Sequence, residues 1–220
     1  MIHFEDFTFN SFMTRCSIVW DDNGNCAFID PGCSSQDEIG MLARTVSAKN
    51  LKPVCIMLTH GHFDHVLGTA ELSRLYGGLP VHMHPADKFT LEQNEYFSRC
   101  FGVPMPETFE TSDITEGSVI EVGSLRFEVL ETPGHTVGGV SYLERSEKIL
   151  FSGDTLFAGA IGRTDHPGGD YDRIMESIFT KLLHLEGDTK VIPGHGPCSD
   201  IATERMTNPF LLPFNEPYEE

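Results

Sequence analysis

Positive charge is scarce in this 220-residue sequence: 15 Lys and Arg stand against 33 Asp and Glu, a formal net charge of -18. A nucleic-acid partner is disfavoured, because the phosphate backbone is held by clustered Lys and Arg that this chain does not supply. Long hydrophobic runs are missing too. The longest reach about five residues, whereas crossing a bilayer takes roughly 20. The N-terminus Met1-Ile2-His3-Phe4-Glu5-Asp6 has no basic stretch of the kind that opens a secretion signal, so a cytoplasmic protein without membrane attachment is expected. Cys16, Cys26, Cys33, Cys55, Cys100 and Cys198 form no CxxC and no ligand spacing. That pattern reads as reduced, buried thiols, not a disulfide framework. No low-complexity linker divides the chain, and 40% of it is hydrophobic, enough for a sizeable core. Residues 1–220 are read as one domain.

Metal-capable side chains, by contrast, are concentrated. Thr59-His60-Gly61-His62-Phe63-Asp64-His65 follows the apolar run Val54-Cys55-Ile56-Met57-Leu58, so its ligands lie where a buried strand opens into a loop. Strand ends aim ligands rigidly, and loops leave room for substrate. Imidazole and carboxylate together suit zinc, iron or manganese, and the lack of a nearby Cys pair argues against a closed structural zinc site. Four ligands this close are hard to place on one ion. Two adjacent metals would resolve the geometry, given further ligands from elsewhere in the chain.

Three candidates share one setting, a strand that stops among glycines. His135 stands in Thr132-Pro133-Gly134-His135-Thr136 after the strand-like Leu125 to Leu130, and His195 in Val191-Ile192-Pro193-Gly194-His195-Gly196. Asp154 ends Leu150-Phe151-Ser152-Gly153-Asp154-Thr155. With two oxygens, a carboxylate there can bridge two cations.

The ordered set His60-x-His62-x-Asp64-His65, His135, Asp154 and His195 resembles the metallo-β-lactamase superfamily over Asp30 to about Pro209. Gly153 to Phe157, Gly162-Arg163 and Pro193 to Gly196 look most like its glyoxalase II-type hydrolases, in their compact form without a C-terminal helical extension. The resemblance implies an α/β four-layer αββα sandwich and two divalent metal ions, zinc in the first instance, with iron or manganese also possible. It places His60, His62 and His135 on one ion and Asp64, His65 and His195 on the other, with Asp154 bridging and Asp64 also positioning the nucleophile. The implied reaction is hydrolysis of a small acyl thioester such as S-lactoylglutathione by a metal-bound hydroxide. Rival readings are a mononuclear iron persulfide dioxygenase, a lactonase or β-lactamase at the same metals, and a non-catalytic scaffold, which would have no use for all seven ligands. The chain departs from glutathione-binding members where Gly196-Pro197 and Thr164-Asp165 replace two usual tyrosines.

Other residues carry open alternatives. Asp30, in Ile29-Asp30-Pro31-Gly32, either accepts a hydrogen bond from a ligand His and fixes its tautomer or serves only the turn. Arg163 either grips a substrate carboxylate or pairs with Asp165 or Asp170, and His166 in the same glycine-rich loop overhangs the metals and touches substrate. His82 and His84 read as structural. Periodicity predicts strands over Phe12 to Trp20 and Cys26 to Ile29, and further strands between Val119 and Leu150. Helices are predicted over Gln36 to Ala48, Gly68 to Tyr76 and Pro85 to about Arg99. Another is capped by Asp170 and carries an apolar stripe from Tyr171 to Leu183. The tail from Pro209 to Glu220 packs either on its own domain or on a partner.

Overall fold

Alternating side chains sort the first sheet into two buried faces. A computed structural model, which describes residues 1–212, puts Ala27, Ile29, Cys55 and Met57 on one face and Cys26, Phe28 and Ile56 on the other. That period of two, apolar on both sides, marks strands covered above and below. The sheet runs in the order β1 (His3–Phe9), β2 (Thr14–Trp20), β3 (Asn25–Ile29), β4 (Lys52–Met57), β5 (Val81–Met83), β6 (Ser112–Asp113). A second six-stranded sheet begins with β7 (Val119–Val122), β8 (Leu125–Glu131), β9 (Val140–Glu144) and β10 (Ile149–Gly153). After a small hairpin of β11 (Leu156–Phe157) and β12 (Ala160–Ile161), β13 (Lys190–Pro193) joins β10 in parallel and β14 (Ser199–Asp200) closes the edge.

The inner faces meet in a core that includes Val19, Met57, Phe127, Val129, Tyr142 and Phe151. Helix α1 (Gln36–Ala48) covers the outer face of the first sheet with Ile39, Leu42 and Val46. Two helices, α2 (Phe63–Val66) and α3 (Thr69–Leu75), follow β4, and α4 (Lys88–Phe101) follows β5. On the second sheet α5 (Tyr171–Thr180) and α6 (Ile201–Thr207) lie over Leu130, Leu143, Leu150 and Val191. The layers are helix, sheet, sheet, helix, as the family resemblance implies.

Local signals explain most boundaries. Ser35 caps α1 by accepting from the Glu38 N–H at 3.3 Å, and Asp170 caps α5 through the Arg173 N–H at 3.0 Å. Strand β2 starts at Thr14 instead of Phe12, because Asn10 and Met13 take left-handed φ values of 53° and 58° and turn the chain back from β1, a strand the sequence reading does not anticipate. The predicted helix from Pro85 divides into a 3-10 turn, Pro85–Asp87, and α4. Leu182 and Leu183 fall on a 3-10 turn after α5 but keep their place in its apolar cluster. The cysteine expectation needs correction, since Cys16, Cys26, Cys33 and Cys55 are buried while Cys100 and Cys198 are exposed. Leu211 is buried in the cluster under α5; residues 213–220 of the predicted tail lie outside the described residues. No helix of the described residues is long and apolar enough to cross a membrane.

Candidate metal centre

Every predicted ligand leaves the C-terminal end of a strand at the same rim of the sandwich. Strand β4 leads into His60 and His62, and α2 then carries Asp64 and His65. Strands β8, β10 and β13 deliver His135, Asp154 and His195. Because β10 and β13 are parallel neighbours, Asp154 and His195 emerge side by side. Glycine is required between them: a Cβ on Gly194 would lie 2.2 Å from Asp154 Oδ1.

Three groups of side chains converge so that one donor atom from each lies within 4.8 Å of the others: the two predicted ligand groups, His60, His62 and His135, and Asp64, His65 and His195, and a third, Asp30, His60 and His65, that links them. His62 Nδ1 and His135 Nε2 are 3.0 Å apart, and the Nε2 atoms of His65 and His195 are 3.2 Å apart. Ligands at about 2.0–2.1 Å from one tetrahedral ion would be separated by roughly 3.4 Å. Asp154 faces both groups, with Oδ2 at 3.5 Å from His135 Nε2 and 3.4 Å from His195 Nε2, and Oδ1 at 3.5 Å from His65 Nε2. His60 Nε2 and Asp154 Oδ1 are buried without any hydrogen-bond partner. Orphaned buried donor and acceptor atoms are costly, and a cation satisfies both, so the residues present fit divalent metals.

The far nitrogens of four rings are already engaged, which aims the near ones inward. His65 Nδ1 donates to Asp30 Oδ2 at 3.1 Å, His135 Nδ1 to the Arg163 carbonyl at 2.8 Å, and His195 Nδ1 to the Phe12 carbonyl at 3.1 Å. Thr59 Oγ1 donates to Asp30 at 2.5 Å and receives His60 Nδ1 at 3.0 Å. Asp30 thus touches His65 directly and His60 through Thr59, and both its oxygens are occupied. Thr14 adds a hydrogen bond to Asp64 Oδ2 at 2.7 Å.

Electrostatics separates the two groups. Burial pushes His60, His62 and His135 below the ordinary histidine range, which keeps them neutral donors. Burial pulls the same way on His65 and His195, but Asp64 and Asp154 beside both, with Asp30 also against His65, outweigh it and raise them to about 9 and about 11. Asp64 is pushed up by burial and pulled down further by His65 and His195, ending at about 2.

The substrate-side expectations land differently. His166 Nε2 lies 3.4 Å from His135 Nδ1, its ring centroid 4.8 Å from that of His62, so the loop does overhang the centre. Arg163 lines the same cavity, but its guanidinium makes two hydrogen bonds to Asp165, at 2.9 and 3.0 Å, which is the loop-holding alternative. His84 donates from Nε2 to the Glu131 carboxylate at 3.0 Å and accepts the Ala86 N–H at Nδ1 at 3.2 Å, in keeping with a structural role.

Asp87, unremarked in the sequence, holds the site's loops together. Fully buried, it accepts from the Gly61 N–H at 2.5 Å, between two ligand histidines, and from the Gly138 N–H at 2.9 Å, just beyond His135. Burial raises its carboxyl despite these bonds. Asp87→Ala leaves two buried N–H groups unpaired and is expected to destabilise the fold by roughly 2–5 kcal/mol. Denaturant unfolding measures this, and a loss under about 0.5 kcal/mol would show that the loops hold without Asp87.

A sequence profile of the metallo-beta-lactamase superfamily matches residues 10–195, a span that contains both groups and Asp154. The chain belongs to that superfamily. Among other superfamily members, hydroxyacylglutathione hydrolase GloC of Haemophilus influenzae is 38% identical to it over 203 residues, covering 91% of this chain and 94% of that protein. The solved BLEG-1 B3 metallo-beta-lactamase superposes with a TM-score of 0.87 at 33% identity, over 95% of this chain and 99% of that one. TTHA1623, solved in a di-iron-bound form, gives a TM-score of 0.83 at 35% identity, over 94% and 100%. As a superfamily member with His and Asp clusters at the matched positions, the chain is a metal-dependent hydrolase.

Proposed function

We propose that the chain hydrolyses a small acyl thioester with two divalent cations, one held by His60, His62 and His135, the other by Asp64, His65 and His195. The observation that carries a paired site is Asp154, whose two oxygens face both groups and one of which accepts no hydrogen bond. When bound, such cations polarise a carbonyl and lower the pKa of water from 15.7 towards about 7. Asp64, fixed by the Thr14 hydroxyl, and Asp154 both line the cavity where substrate would enter, placed to accept a hydrogen bond from the attacking water. Asp30 and the Arg163 carbonyl hold His65 and His135 in one tautomer, so the donor set needs no rearrangement. A thiolate leaves without a proton, so the reaction makes no demand for a general acid.

The relative named as a hydroxyacylglutathione hydrolase, matched along 94% of its length, supports the thioester. The di-iron-bound relative supports iron beside zinc and manganese as the ion. The B3 metallo-beta-lactamase supports a cyclic amide as the competing substrate. Free thiols, four of them buried, support the cytoplasmic placement. Thioesters, lactones and β-lactams assayed side by side on protein of known metal content, with oxygen uptake followed, test the reading. Hydrolysis confined to lactams or lactones, or oxygen consumption with a persulfide, would replace it.

Arg163 can still read charge. Its pair with Asp165 stands in open solvent, where screening leaves it weak enough for a substrate carboxylate to displace. Arg163→Ala is expected to raise KM about tenfold for S-lactoylglutathione and less for an uncharged thioester, with metal content unchanged. Equal losses on both substrates would assign the side chain to loop structure.

A further inference from the structure

The cavity beside the two carboxylates is walled by phenylalanine. Phe12, Phe63, Phe97 and Phe101 line a space of about 200 Å³ that also reaches Asp64 and Asp154. Phe12 packs edge-on against Phe63 and Phe101, with centroids 5.0 and 5.4 Å apart, and Phe97 stands edge-on to His62 at 5.6 Å. The rings come from three separate places: the turn after β1, the start of α2 and the last two turns of α4. Phe63 is core, yet Phe101 is left 53% exposed. Large apolar side chains gathered at the open mouth of a polar centre mark a place where apolar surface of a ligand is buried.

Resting on the thioester reading, we infer that the site selects an acyl group carrying an uncharged ring-sized hydrocarbon, seated on Phe12, Phe97 and Phe101. Size and polarity decide which half of the substrate enters. The space is below the roughly 300–1,000 Å³ of pockets for drug-sized ligands, while an apolar cavity of about 150 Å³ already admits benzene. A charged tripeptide thiol therefore stays outside, near Arg163 at the rim, and the acyl group goes in. A carboxylate further along the acyl chain would be placed against phenyl rings, where desolvation opposes it.

S-mandeloylglutathione and S-lactoylglutathione differ only by phenyl for methyl on the acyl carbon, and mandelate and lactate repeat that difference without the scissile bond. On the metal-loaded protein, kcat/KM is expected to favour S-mandeloylglutathione by at least about tenfold, and calorimetry to show mandelate bound about tenfold tighter than lactate. Phe97→Ala and Phe101→Ala should bring both ratios towards one. Ratios near one in the unsubstituted protein, or ratios unmoved by either substitution, would overturn the assignment. If neither thioester is turned over the thioester reading fails, and the mandelate-to-lactate binding ratio still decides what the cavity holds.

Discussion

Asp154→Ala is expected to leave a folded protein whose thioester turnover falls by about a thousandfold or more. The carboxylate lies between the two histidine groups, at 3.4–3.5 Å from His65, His135 and His195. In the proposed binuclear site, removing it would take a ligand from both cations at once and leave the second group short of a negative charge. His195 and His65 owe their raised proton affinity partly to this residue, so the substitution should also lower both. Asp154→Asn keeps the shape and one oxygen and should retain metal better than Asp154→Ala while remaining slow. Metal analysis with steady-state kinetics checks the pair; both ions retained at near-normal activity would mean that Asp154 does not bridge.

Metal uptake is expected in two steps with different pH dependence. His60, His62 and His135, held below the usual histidine range by burial, are neutral above pH 6.5 and give up no proton to a cation. His65 and His195, at about 9 and about 11, carry protons at neutral pH that a cation must expel. Below about pH 9 affinity at the second group therefore falls as pH falls. Calorimetric titration in buffers of different ionisation heat should therefore show a first ion entering with little proton release and a second releasing more. A chelator should abolish turnover, and restoring one equivalent of metal should not recover it. One tightly held iron with no second site filled on titration would end the binuclear reading, and greater proton release in the first step than in the second would reverse the assignment of the groups.

The seven candidate ligands are legible locally, His60, His62, Asp64 and His65 by their bunching after an apolar run and His135, Asp154 and His195 by strands that stop among glycines, signals that need no knowledge of the sheet. Layering was not local. It came from family resemblance, since periodicity alone marks β4 or β10 as buried without saying against what. Asp87, Thr14 and Thr59 escaped notice because a single polar residue declares no partner until the chain has folded; Asp87 meets Gly138 across 51 positions. The phenylalanine wall escaped for the same reason. Phe12 falls within a predicted strand and Phe97 within a predicted helix, while Phe101 lies beyond the expected end of that helix at Arg99. Arg163 shows the reverse case, a cation picked out by motif whose side chain turns to Asp165 while its carbonyl orients His135.

Each sheet is contiguous in the chain, the first spanning residues 3–113 and the second 119–200. His60, His62, Asp64 and His65 belong to the earlier half, and His135, Asp154 and His195 to the later one. A ribosome therefore releases the first half with its histidines exposed and incomplete, and neither ion can be enclosed until the second half has closed over it. Metal capture then acts as a clasp fastened last. Mutations that loosen the seam between the halves, far from any ligand, should surface in the cell as poor metal loading before they surface as unfolding.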